Sequence, residues 1–174
     1  MKTKRILSPT AQARAPLEAL GIRTPPIPLD KVGEHLGAKI RRAPLDDELS
    51  GVIFIRDNIP IIGINAIHHP NRQRFTLAHE LGHLVLHKNF ITNMVHVDKN
   101  FPFLLRDSKA ATGTDRIEIE ANQFAAELLM PEMMVLRELE SYKLDIDDEI
   151  LLNELGIKFL VSKQAMSYRI QNIL

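Results

Sequence analysis

Hydrophobic and polar positions along this chain follow two rhythms, and the change from one to the other separates a sheet from a set of helices. GVIFIR (51–56) and IPIIGIN (59–65) are β-rich runs divided by Asp57-Asn58, a pair suited to a two-residue hairpin turn. Pro60 sits near the start of the second run and marks an edge strand or a strand end. Ala38–Arg42 is a third candidate strand. From about Asn71 to His87 the spacing turns helical, with Phe75, Ala78, Gly82, Val85 and Leu86 on one stripe. A second long helix is expected from about Asp115 to Met130, stopped by Pro131, which opens another through about Tyr142. Shorter helices are expected over Ala15–Leu20 and Leu29–Leu36, the latter stopped by Gly37, and a final pair over 149–159 and 163–173. Residues 88–116 carry no clear period. The pattern predicts an α+β fold: a small antiparallel sheet packed against a pair of long helices, with a helical C-terminal cap.

At 174 residues the chain is expected to form a single domain, 1–174. Residues 1–14 read as a flexible basic tail without the apolar core of a signal peptide. The apolar runs are broken by Pro or charge well before membrane-spanning length. A soluble, cytoplasmic protein with no membrane partner is therefore expected. The formal net charge is zero, so no global field draws the chain toward nucleic acid. It has no Cys, which excludes disulfides, thiolate ligands and a cysteine nucleophile.

That exclusion leaves His and carboxylates as the means of holding a metal, and residues 79–83 spell HELGH. A helix turns about 100° and rises about 1.5 Å per residue, so His79 and His83 project from one face on adjacent turns. Two imidazoles so placed can grip one ion. Glu80, about 100° around from His79, lies beside that ion, where it can take a proton from a bound water. HExxH on a helix is the arrangement of zinc peptidases for this reason. Gly82 falls in the middle of the apolar stripe at a cost of up to about 1 kcal/mol in helix propensity, as expected where another backbone must approach closely. His87 continues the spacing but lies about 12 Å along the axis from His79, too far to share a metal with it, and reads as a surface residue or an outer neighbour of the ligands. The third ligand is sought on DRIEIEANQFAAELLMP. There Glu118 lies at the edge of the buried face, Glu120 and Glu127 near the solvent side, and Ala121 and Ala125 offer a slim face to Gly82. Asn122, one turn beyond Glu118, is placed to accept the spare N–H of a ligating His.

Residues 51–131 resemble the ImmA/IrrE family of metallopeptidases, of the gluzincin type. The resemblance rests on RQRFTLAHELGH (72–83), the preceding SGVIFIR and IPIIGIN hairpin, and EIEANQFAAELLMP (118–131), and extends more weakly over PPIPLDKVGEHLGAKI and VSKQAMSYRI. It implies zinc, with manganese as the alternative, bound by His79, His83 and Glu118, with Glu80 as catalytic base. Gluzincins carry an Asp where Asn122 stands here, so the outer bond to the ligand is neutral. The resemblance also implies the substrate class, a helix-turn-helix repressor whose cleavage switches on stress-response or mobile-element genes. A donor for the oxyanion is sought among His96, Tyr142, Tyr168 and the 88–116 segment, or a backbone amide.

ELGIKFLVSKQAMSYRI (154–170) itself has the cadence of a helix-turn-helix, with Lys163, Gln164, Ser167 and Arg169 as candidate groove-facing residues. From Glu132 onward there are five Lys/Arg against eight Asp/Glu, which argues against phosphate binding. Packing of the 149–174 pair on the core is the expectation. The rival to an endopeptidase is a zinc-stabilised binding module that sequesters a regulator without cutting it.

Overall fold

The computed structural model describes residues 7–93, 96–99, 113–141 and 149–174. Residues 9–14 of the tail expected over 1–14 are helical, because Ser8 caps a helix, α1 (Pro9–Ala19), with its hydroxyl accepting from the Ala11 amide at 3.2 Å. Ser before Pro at the first helical position is a start signal, and Ala13, Pro16 and Leu17 bury the inner face. The helix runs through Pro16 and begins six residues before the Ala15 start expected from the sequence. α2 (Leu29–His35) follows, capped by Leu36, and the next residue, Gly37, has a left-handed φ of 80°.

Among the described residues four strands form one sheet, in the order β1 (Lys39–Ala43), β3 (Ile59–Asn65), β2 (Leu49–Arg56), β4 (His96–Lys99). Asp57 and Asn58 have φ of 51° and 61°, the two left-handed residues of the expected hairpin turn. β2 pairs antiparallel with β3 and with β4, but β1 pairs parallel with β3, so the sheet is mixed rather than wholly antiparallel. Asn65 accounts for the crossing that parallel pairing requires. Fully buried, its side chain accepts from the Leu45 amide at 3.2 Å and donates to the carbonyls of Asp46 at 3.2 Å and Leu49 at 2.9 Å. The 44–48 connection is thereby folded over the end of β3. Pro60 sits at a strand end, one residue before the pairing with β1 begins at Ile61.

α3 (Pro70–Leu86) is the centre of the molecule. Nine consecutive residues, Thr76 to Leu84, are buried, more than the single stripe its periodicity predicts. The reason is that β2 and β3, α1, α2 and α5 (Gly113–Leu129) all pack around it. Of the 88–116 segment, α4 (Lys88–Asn93) and β4 are described. α5 buries Ala121, Phe124, Ala125 and Leu128 completely. A Cβ on Gly82 would lie 3.1 Å from the Ala121 carbonyl oxygen and 3.2 Å from Ala121 Cα, so the glycine is what lets the backbones of α3 and α5 meet.

α6 (Glu132–Glu140), α7 (Glu149–Phe159) and α8 (Lys163–Ile173) complete the described helices, with Ser162 capping α8 through the Ala165 amide at 3.1 Å. Two placements differ from expectation. Glu127 is only 1% exposed rather than on the solvent side. It meets Arg14 Nε at 2.7 Å and Arg169, while Arg169 Nε also donates to the Met130 carbonyl at 2.9 Å. Arg169 is thus turned into the protein and not toward a groove. A buried carboxylate needs such partners to remain charged, and this one fastens α1, α5 and α8 together. No helix among the described residues is long and apolar enough to cross a membrane.

If the Gly82 contact sets the α3–α5 spacing, Gly82→Val should destabilise the protein by about 1–3 kcal/mol through overpacking, read from denaturant midpoints. An unchanged midpoint would show that α5 yields freely there.

Candidate metal centre

Both helices deliver their polar groups to one point. His79 and His83, one turn apart on α3 and both buried, bring their Nε2 atoms to 2.9 Å from each other. Glu118, on the first half of α5, reaches across with Oε2 3.2 Å from His79 Nε2 and Oε1 3.5 Å from His83 Nε2. One ligand atom from each of the three residues lies within 4.8 Å of the others. Zinc bonds of about 2.0–2.1 Å in a tetrahedron separate adjacent ligands by about 3.3 Å. Two imidazole nitrogens and a carboxylate at these spacings therefore fit a divalent ion with little movement. Burial alone would raise the Glu118 pKa, but hydrogen bonds and charge from His79 and His83 outweigh it and hold the carboxyl below its ordinary range. That shift favours the deprotonated form, the one in which a carboxyl group binds a metal.

The outward nitrogens of the two imidazoles are also occupied. His79 Nδ1 lies 2.8 Å from Asn122 Oδ1. An amide oxygen only accepts, so His79 carries a proton on Nδ1, and Nε2, the nitrogen that meets Glu118 here, is the one left to offer its lone pair to a metal. His83 Nδ1 lies 3.2 Å from His87 Nδ1. His87 Nε2 in turn meets Glu120 Oε2 at 3.0 Å, and Arg116 Nε donates to Glu120 Oε1 at 2.9 Å. Glu120 is therefore half-buried and engaged, not solvated as its helical angle suggests, because α3 extends a full turn beyond the ligands to bring His87 over it. The His87 and Arg116 hydrogen bonds hold the Glu120 carboxyl below its usual range. The ring of Phe75 closes one side, 6.1 Å from that of His79 between centroids.

Glu80 is fully buried on the sheet side of α3. There the Ser50-Gly51 step of β2 passes it, and a Cβ on Gly51 would fall 3.0 Å from Glu80 Oε1 and 2.5 Å from the Thr76 methyl carbon. The absence of a side chain at Gly51 is thus what makes room for the Glu80 carboxylate beneath the hairpin. Gly51 is a site residue that the sequence reading did not single out, although a Gly within a β-rich run is a sign of close approach. Arg72 Nη2 donates to the Ser50 hydroxyl at 2.9 Å and pins the same strand to α3. Of the oxyanion-donor candidates, Tyr142 and the side chain of His96 lie outside the described residues, and Tyr168 is half-buried on α8.

Gly51→Ala should destabilise by about 1–3 kcal/mol, and Thr76→Ser, which removes the opposing methyl, should return part of that loss. A double-mutant cycle by urea denaturation measures the coupling. Additive effects would mean that the strand and α3 do not constrain each other there.

One relative is the "Uncharacterized immunity region protein 2" of Bacillus phage phi105, 32% identical over 109 residues. That alignment covers 63% of this chain and 61% of the phage protein. The model of the Peptidase_M78 family, described as the IrrE N-terminal-like domain, matches residues 33–171, from within α2 to near the end of α8 and through every residue of the cluster. On a match of that extent, this chain belongs to the Peptidase_M78, IrrE N-terminal-like, metallopeptidase family.

Proposed function

We propose that this chain is a zinc-dependent endopeptidase, with manganese as the alternative metal, and that its substrate is a regulatory protein of the helix-turn-helix repressor class. The convergence of His79, His83 and Glu118 from two helices, with Glu80 buried one residue from the first ligand, carries the chemistry. Family membership and the immunity-region name of the phage relative support the substrate class.

When bound, the metal would acidify a water and polarise the scissile carbonyl. The residues of the chain do the rest. His79, His83 and Glu118 bind the ion, and Asn122 fixes the tautomer and ring orientation of His79. Glu80 takes one proton from the attacking water as its oxygen bonds to the carbonyl carbon. It then delivers that proton to the departing amine nitrogen as the C–N bond breaks, and the water's second proton, left on the new carboxyl group, passes on to the amine, so that the products are a carboxylate and an ammonium group. Burial under the hairpin holds Glu80 in position and keeps bulk water from competing for its proton.

Glu80→Gln keeps the shape and loses the base. With purified helix-turn-helix repressors encoded beside this chain's gene as candidate substrates, zinc-loaded wild type should generate a new N-terminus detectable by mass spectrometry. Glu80→Gln should retain zinc and cut at least about 100-fold more slowly. Equal cleavage by the variant would remove Glu80 from the mechanism. Repressor binding without any cleavage would favour a sequestering module instead.

A further inference from the structure

His87 and Glu120 lie beyond the three ligands, and the proposed chemistry makes no use of them. We propose that they form a relay that sets the tautomer and orientation of His83, the counterpart for that ligand of what Asn122 does for His79. The proposal rests on the metal-site reading above and extends it to two positioning residues.

The assignment follows from donor and acceptor capacity. Arg116 donates to Glu120 Oε1 at 2.9 Å, and the other oxygen, Oε2, lies 3.0 Å from His87 Nε2. An ionised carboxylate only accepts, so His87 Nε2 bears the hydrogen. In a neutral imidazole the second nitrogen then has a lone pair, so His87 Nδ1 is an acceptor. It faces His83 Nδ1 at 3.2 Å, which must therefore be the donor. With Nδ1 of His83 committed as a donor to His87, Nε2 is the nitrogen left to give its lone pair to a metal, and it is the atom that lies 2.9 Å from His79 Nε2 and 3.5 Å from Glu118. Carboxylate, imidazole and imidazole thus form a directed chain ending at the metal position.

Alternative roles fit the geometry less well. As a metal ligand in its own right, His87 would have to turn a nitrogen toward the Nε2 pair, yet its two nitrogens face His83 Nδ1 and Glu120. As a mere surface residue it would not have a side chain only 8% exposed. The carboxylate that orients it stands two residues from Glu118 on α5, so the helix that supplies the third ligand also sets the partner of the second.

The test is zinc affinity by competition with a chromophoric chelator, with circular dichroism of each metal-free variant to verify folding. His87→Leu should weaken zinc binding by about 10–100-fold. His87→Asn, whose amide oxygen can accept from His83 Nδ1, should recover most of that loss. Glu120→Leu should weaken binding by about tenfold, whereas Glu120→Gln, still an acceptor, should stay near wild type. A merely structural role would lower folding stability without following acceptor capacity. Wild-type affinity in folded His87→Leu and Glu120→Leu overturns the relay while leaving the metal site intact. Should His87→Leu fail to fold, unchanged affinity in Glu120→Leu alone overturns it. Wild-type protein that holds no zinc overturns the underlying site as well.

Discussion

The closeness of α3 and α5 at Gly82 is the constraint from which the site follows. Helices ordinarily pack with axes about 8–10 Å apart, and the separation is set by the side chains between them. Here one side contributes no side chain, and the other contributes the backbone of Ala121 and the Cβ of Phe124, each within 3.3 Å of where a Gly82 Cβ would be. Gly82 stands between His79 and His83, and Ala121 between Glu118 and Phe124. The point of closest approach is therefore also the point at which a carboxylate from one helix can span to two imidazoles on the other. Helix propensity lost at Gly82 is offset by the burial of Ala121, Phe124 and Ala125 that the approach allows.

Around that contact, the polar groups of the ligand cluster engage one another in layers. Glu118 meets both imidazoles, Asn122 meets one of their outer nitrogens and His87 the other, and Glu120 meets His87. Buried polar groups are costly unless paired, and a ligand set whose outer atoms are already engaged loses little rotational freedom on binding an ion. A second buried carboxylate, Glu127, serves a different end, joining α5 to the N-terminal and C-terminal helices through Arg14 and Arg169. Because α5 carries Glu118 near one end and Glu127 near the other, the outer helices brace the element that supplies the third ligand.

Much of this could be read before any coordinates. The hairpin turn at Asp57-Asn58, the spacing of HELGH and the helical angle of Glu118 are local properties, and local geometry is what sequence periodicity encodes. The role of Gly82 was legible for the same reason, since a glycine in an apolar stripe asks for a neighbour. What was not legible depends on distant segments. Glu120 and Glu127 looked solvated because an angle on one helix says nothing of the second helix or terminal arm that covers it. The first helix was expected only from Ala15, although the Ser8-Pro9 start signal stands six residues earlier. The parallel pairing of β1 depends on Asn65 folding the 44–48 connection over β3, which no periodicity reports. Gly51 escaped notice because its consequence, space for Glu80, lies across the sheet–helix interface.

The most direct measurement is a crystal structure of zinc-soaked protein with data collected on both sides of the zinc absorption edge. The expected result is a single anomalous peak bonded to His79 Nε2, His83 Nε2 and a Glu118 oxygen at about 2.0–2.2 Å. A peak held by other residues, or none at these three with zinc well above the protein concentration, would contradict the account.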